Sequence, residues 1–152
     1  MSKSLWNFAL DLYRRPGVEQ ACLRLQDEHG NDVCLLICAL WLDRRGVACT
    51  AERRARLRAL AGEWQREVIA PLRDVRRRWK SAAAHDAVLT ELRQRLAQLE
   101  VDAERELLVR LEELSAAWSS TGNPDSGVWL AALANPGSTG EALACLTAAA
   151  RA

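Results

Sequence analysis

The chain has 152 residues, 49% hydrophobic and 27% charged, with a formal net charge of +1. A chain of that size and balance buries a real core, so disorder is not the expectation. Leu and Ala dominate the apolar set, with one Phe, one Tyr and few β-branched residues, which argues against sheets and for an all-α fold.

Ser4 is a candidate cap for a first helix over 4–14, in which Leu5, Phe8 or Ala9, and Leu12 recur at helical spacing. Arg14 and Arg15 suit its negative C-terminal end. Pro16-Gly17 interrupts the chain, and Pro16 can open a second helix, 17–29, with Val18, Ala21, Cys22 and Leu25 as its stripe. His29-Gly30-Asn31-Asp32 reads as a stop followed by a new cap. Val33 to Leu42 is apolar throughout, and period alone allows a buried strand or a buried helix. Its cap and its Leu, Ala and Cys content favour a helix over 32–45, surrounded by others at the centre of the core.

Thr50 starts a basic helix over 50–70, with Leu57, Leu60 or Ala61, Trp64 and Val68 facing inward. Pro71 lacks an N–H and crowds the turn before it, so a kink or restart is expected, then a helix over 71–80. The longest periodic run, 84–119, carries Leu89, Leu92, Leu96, Leu99, Ala103, Leu107, Leu111, Leu114 and Trp118 at near-heptad steps. It should return antiparallel to the basic helix. Thr121 to Asp125 breaks the pattern, and a short helix over 126–134 stops at Asn135-Pro136-Gly137. A last helix over 139–150 opens on what reads as a capping box, Ser138-Thr139-Gly140-Glu141. The expectation is one domain over 1–152: an all-α helical bundle with a buried central apolar helix and a long antiparallel helical hairpin.

Residues 5–42 carry a recognisable pattern: Leu5-Trp6-Asn7-Phe8-Ala9-Leu10, Tyr13, Pro16-Gly17-Val18, Ala21-Cys22-Leu23, Leu25-Gln26-Asp27, Gly30, Asp32-Val33, Leu35-Leu36 and Trp41-Leu42. Pro71-Leu72-Arg73 and Arg76-Arg77 continue it. The chain here resembles the DUF2390 family of uncharacterised proteobacterial proteins. Cys34 departs from it, standing where a polar residue such as Asn is expected. The resemblance implies a bacterial source, but no activity, cofactor or catalytic residue.

Met1 to Leu10 lacks the apolar run and cleavage site of a secretory leader, and ten apolar residues are too few to span a membrane. A cytoplasmic protein with reduced thiols is therefore expected for the five cysteines, Cys22, Cys34, Cys38, Cys49 and Cys145. Cys34 and Cys38 share a helix face, which suits apolar packing better than a metal site short of further ligands. Cys49, near Arg44 and Arg45, is the more exposed thiol candidate. With only His29 and His85, a histidine-based triad has little to draw on. Asp27, Glu28 and Asp32 read as helix-end acids before they read as a cation site. Phosphate-binding glycine loops and the DDxxD pattern are missing. No catalytic residue, cofactor or metal is assigned, and an enzyme is disfavoured.

Charge is distributed unevenly. Residues 44–80 hold 12 Lys/Arg against 4 Asp/Glu, and residues 81–118 hold 4 against 8. Arg53, Arg54, Arg73, Arg76, Arg77, Arg78 and Lys80 are candidate polyanion contacts, through which RNA or DNA could bind. Their spread around the helix, and Glu91, Glu100, Asp102, Glu104 and Glu106 on the next one, favour pairing within the chain. Most of the six tryptophans fall on apolar stripes; Trp129, after a Pro/Gly turn, is the candidate partner contact, although docking of its helix onto the bundle is favoured. The expected role is a non-enzymatic protein-interaction or adaptor module that binds another protein or itself. Nucleic-acid binding through 53–80 is one alternative, and a small-molecule or enzymatic pocket beside the helix at 33–42 another.

Overall fold

A computed structural model describes residues 3–124 and 127–152. The helices begin where short polar side chains can satisfy first-turn N–H groups. Ser4 accepts from Asn7 (3.2 Å), Asp32 from Leu35 (3.3 Å), Thr50 from Arg53 (3.2 Å) and Asp86 from Leu89 (3.1 Å). These open α1 (Leu5–Tyr13), α3 (Val33–Arg44), α4 (Ala51–Trp64) and α7 (Ala87–Ser115). Between the first two lies α2 (Val18–His29), which starts after Gly17 and not at Pro16, and ends on a left-handed Gly30.

The apolar segment is a helix. Every residue of α3 from Cys34 to Asp43 is buried, because α1, α2, α4, α7, α8 (Val128–Leu133) and α9 (Gly140–Arg151) all pack on it. An all-round apolar helix is stable only when enclosed in this way. The expected start of the penultimate helix at Ser126, with the adjoining Asp125, lies outside the described residues.

Pro71 does not break the basic segment. A π turn over Gln65–Ile69 precedes it, with Ala70 N–H donating to Gln65 O, and α5 (Ala70–Arg78) continues directly. Widening the turn takes up the residue whose N–H is missing and whose ring crowds the previous turn. The short α6 (Lys80–Ala83) ends the arm, and α7 returns antiparallel along α6, α5 and α4. Among the described residues, no helix is long and apolar enough to cross a membrane.

The inward register of α7 needs correction at two positions. Leu92 and Leu99 are 42% and 50% exposed, while Glu100 is buried and Arg93 is half-buried. The inward column runs 89, 93, 96, 100, 103, 107, 111, which keeps heptad-like steps of 4 and 3 but replaces Leu92 and Leu99 by the residues that follow them. Two of its positions are thus polar.

The last two helices are held by polar groups reaching from afar. Asp43, buried at the end of α3, accepts the N–H groups of Trp129 (2.9 Å) and Leu130 (3.1 Å) at the start of α8. Buried Asn31 accepts from Asn135 N–H (2.7 Å) and donates to Ser138 Oγ (2.9 Å). The capping box at 138–141 is not formed: Ser138 Oγ donates to Asn135 O, and Thr139 Oγ1 meets His29 Nε2 at 2.7 Å. Those hydroxyls tie α9 to the end of α2 instead.

Candidate functional site

Helix α1 turns Ala9 inward, α2 Cys22, α3 Cys34 and Ile37, and α7 Leu108; these form the floor of a cleft of about 460 Å³. Its floor is apolar because each helix presents its stripe there. The rim mixes apolar side chains with polar ones such as Glu19 and Gln26. Leu10, Tyr13, Leu23 and Val101, four of the large apolar side chains exposed among the described residues, stand around it.

One wall of the cleft is charged. Arg76 Nε lies 2.5 Å from Glu100 Oε1, and Arg73 Nη2 lies 3.7 Å from Glu104 Oε1. Number rises along α5 as it falls along α7, as an antiparallel hairpin requires. Arg93 Nε also donates to Arg76 O at 2.8 Å, so an inward-facing arginine on α7 binds the backbone of α5. On the other side of Val33 and Arg73 a second hollow of about 370 Å³ reaches Asp32 and Gln65. Asp32 Oδ2 is buried there without a hydrogen-bond partner.

Titratable groups along this trough are displaced from their ordinary values. Burial pushes the Cys22 thiol up to about 11 and holds that of Cys34 well above the usual range. Burial likewise raises the carboxyls of Asp32 and Glu104, against the opposing pull of the Leu35 N–H on the first and of Arg73 on the second. These thiols stay protonated at neutral pH and are poor nucleophiles. Among the described residues, no three His, Cys, Asp or Glu side chains are grouped to hold a metal.

The basic candidates differ in their surroundings. Arg53 donates to Ala48 O (2.8 Å) and lies over the Trp118 ring, and Arg54 donates to Cys49 Sγ (3.5 Å). Arg73 and Arg76 are engaged by glutamates. Arg77, Arg78 and Lys80 remain exposed at the tip of the arm. Trp129 is buried, so the candidate partner contact is not at the surface and the indole docks α8 onto the bundle. It is 0% exposed, stacked on Trp118 with centroids 6.0 Å apart, and donates to Val47 O at 2.7 Å. Asp43 draws the first turn of α8 inward and takes the indole with it.

The sequence matches the DUF2390 family, described as proteins of unknown function, over residues 4–111. The chain belongs to the DUF2390 family. No curated protein and no solved structure matches it. The matched region of this DUF2390 protein runs from α1 to Leu111 of α7, and it contains every residue that lines the cleft. Sequence reasoning placed Cys22, Cys34 and Arg73 on their helices, and nothing in it brought Arg73 to the two thiols. The one available signal was the exposed register of Leu10 and Leu23, each lying off the apolar stripe of its own helix.

Proposed function

We propose that this protein is a non-enzymatic interaction module whose cleft among α1, α2, α3 and α7 receives an amphipathic helix of a partner protein. The single observation that carries the reading is the ring of Leu10, Tyr13, Leu23 and Val101 around an apolar floor. A drug-sized ligand is usually buried over most of its surface. This cleft leaves its apolar rim in water, so its occupant has to bring its own cover, as a helix laid in a groove does. The Arg73–Glu104 and Arg76–Glu100 pairs offer both signs of charge to the polar flanks of such a helix. Its unpaired cysteines support a reducing compartment, the cytoplasm, and the continuous apolar core from α1 to α9 supports one domain.

A photoreactive amino acid at position 23 or 101 should cross-link one discrete partner in cells, whereas one at position 85, on the arm tip, should not. That partner, once purified, should bind the wild-type chain and lose about 10-fold or more in affinity to Leu23→Glu. Equal cross-linking from all three positions, or a product that is only a second copy of this chain, would overturn the reading. Nucleic-acid binding would draw on Arg56, Arg66, Arg77, Arg78 and Lys80, exposed groups divided among α4, the π turn, α5 and α6, and is the second reading.

A further inference from the structure

On the α2 side of the docking cleft, Leu23 is 51% exposed and stands between two acids of its own helix. Glu19 lies one turn before it and Asp27 one turn after, and residues four apart share a helix face. Both carboxylates are exposed, and neither joins an ion pair or hydrogen bond among the described residues. Glu19 suits the positive N-terminal end of α2, but Asp27, in the last turn, runs against the helix dipole. Helix stability therefore does not account for the pair. Nor does α2 supply a counter-charge: Arg24 is shared by Glu28 and Glu141, at 3.7 and 3.8 Å, and His29 is turned to Thr139. The opposite wall is balanced, with each of Arg73 and Arg76 matched by a glutamate of α7. The cleft thus has one neutral side and one acidic side, and the acidic side carries the exposed leucine.

We infer that the helix received by this cleft is basic on one flank: it lays apolar side chains against Leu23 and carries two Lys or Arg residues, two turns apart, that meet Glu19 and Asp27. The inference rests on the proposal that the cleft receives a helix, and adds the partner's charge pattern and the side it turns to α2. Glu19 and Asp27 are separated by about 12 Å along the axis of α2, a span that roughly seven or eight residues of a partner helix match. Exposed charges of this kind add little affinity each and act chiefly by selecting the partner and its direction.

Calorimetry at low salt on the full chain, with three synthetic helices that share one leucine face, tests the assignment. At two flank positions about seven residues apart, one helix carries lysine, the second glutamine and the third glutamate. The lysine helix should bind tightest and the glutamate helix weakest, with about 10-fold or more between them. Glu19→Gln and Asp27→Asn should each remove about 3-fold of that preference and leave the glutamine helix unchanged, whereas Glu91→Gln, on the arm, should change nothing. All three positions are exposed, so the variants keep the fold. A glutamine helix that binds as tightly as the lysine one overturns the inference and leaves helix docking in place. A lysine preference that survives both α2 variants overturns it too, and no binding by any of the helices overturns both.

Discussion

The carboxylate of Asp43, at the buried end of α3, caps α8 by accepting the main-chain N–H of Trp129 at 2.9 Å. Its other oxygen takes the N–H of Leu130, so one side chain satisfies two first-turn donors of a helix 86 residues further on. Replacing it leaves two buried donors without acceptors. Asp43→Ala should cost about 2–4 kcal/mol of stability, with a lower urea midpoint, and Asp43→Asn about half of that. Near-ultraviolet circular dichroism should lose part of the Trp118–Trp129 signal in the same variants.

Arg76 and Glu100 provide a second test. Glu100 is buried on the inner face of α7, and Arg76 is partly exposed. Arg76→Ala strands that carboxylate and should destabilise by about 2 kcal/mol, below the full value for a buried pair because Arg76 reaches water. Arg77→Ala, one residue on and exposed, should fall within about 0.5 kcal/mol of wild type. Thermal denaturation of the two variants makes the comparison, and a Glu100→Gln double-mutant cycle isolates the pair.

Gly46 and Gly122 cross at close quarters. Gly46 has φ of +67°, accepts the Gly122 N–H at 2.6 Å, and would place a Cβ 2.6 Å from Gly122 O. Gly46→Ala therefore combines left-handed strain with a backbone clash, and should cost about 2–4 kcal/mol. Gly137→Ala, at φ +80° with open space around it, should cost only the strain, about 1–2 kcal/mol. Equal losses in urea denaturation would show that the crossing contributes nothing.

Thiol reactivity and alkaline stability are linked. Burial raises Cys22 to about 11 and carries Cys34 and Cys38 higher than an ordinary thiol. The unfolded chain releases these protons near the ordinary thiol value and the folded chain does not, so raising pH favours unfolding. Stability is fully present below about pH 8.5 and should fall between there and pH 11, by on the order of 1–2 kcal/mol per buried thiol at pH 10. At pH 8 a thiol reagent should modify half-buried Cys49 and Cys145 first, and the other three only on unfolding. A urea midpoint that rises from pH 8 to pH 10 would contradict the burial.

Much of the fold was legible because local chemistry settles it. Ser4, Asp32 and Thr50 are caps whose partner N–H lies three residues on, and Val33 to Leu42 has no polar face to show to water. What escaped depends on groups far apart in sequence. Nothing local marks Asp43 as the cap of α8, or diverts Ser138 and Thr139 from a capping box to Asn31 and His29. Leucine spacing pointed α7 wrongly at Leu92 and Leu99 because Arg93 and Glu100 take inward places only through α5. The cleft was invisible for the same reason: its floor is assembled from four helices, each with an unremarkable stripe.

The π turn over Gln65–Ile69 governs the orientation of everything beyond it. Each residue advances an α-helix by about 100°, so loss of one residue there swings α5 by roughly that angle against α4. Arg73 and Arg76 would leave Glu104 and Glu100, and a different set of α5 side chains would border the cleft. A single-codon deletion at this turn would therefore re-dress one wall of the same groove and keep the helices on either side intact.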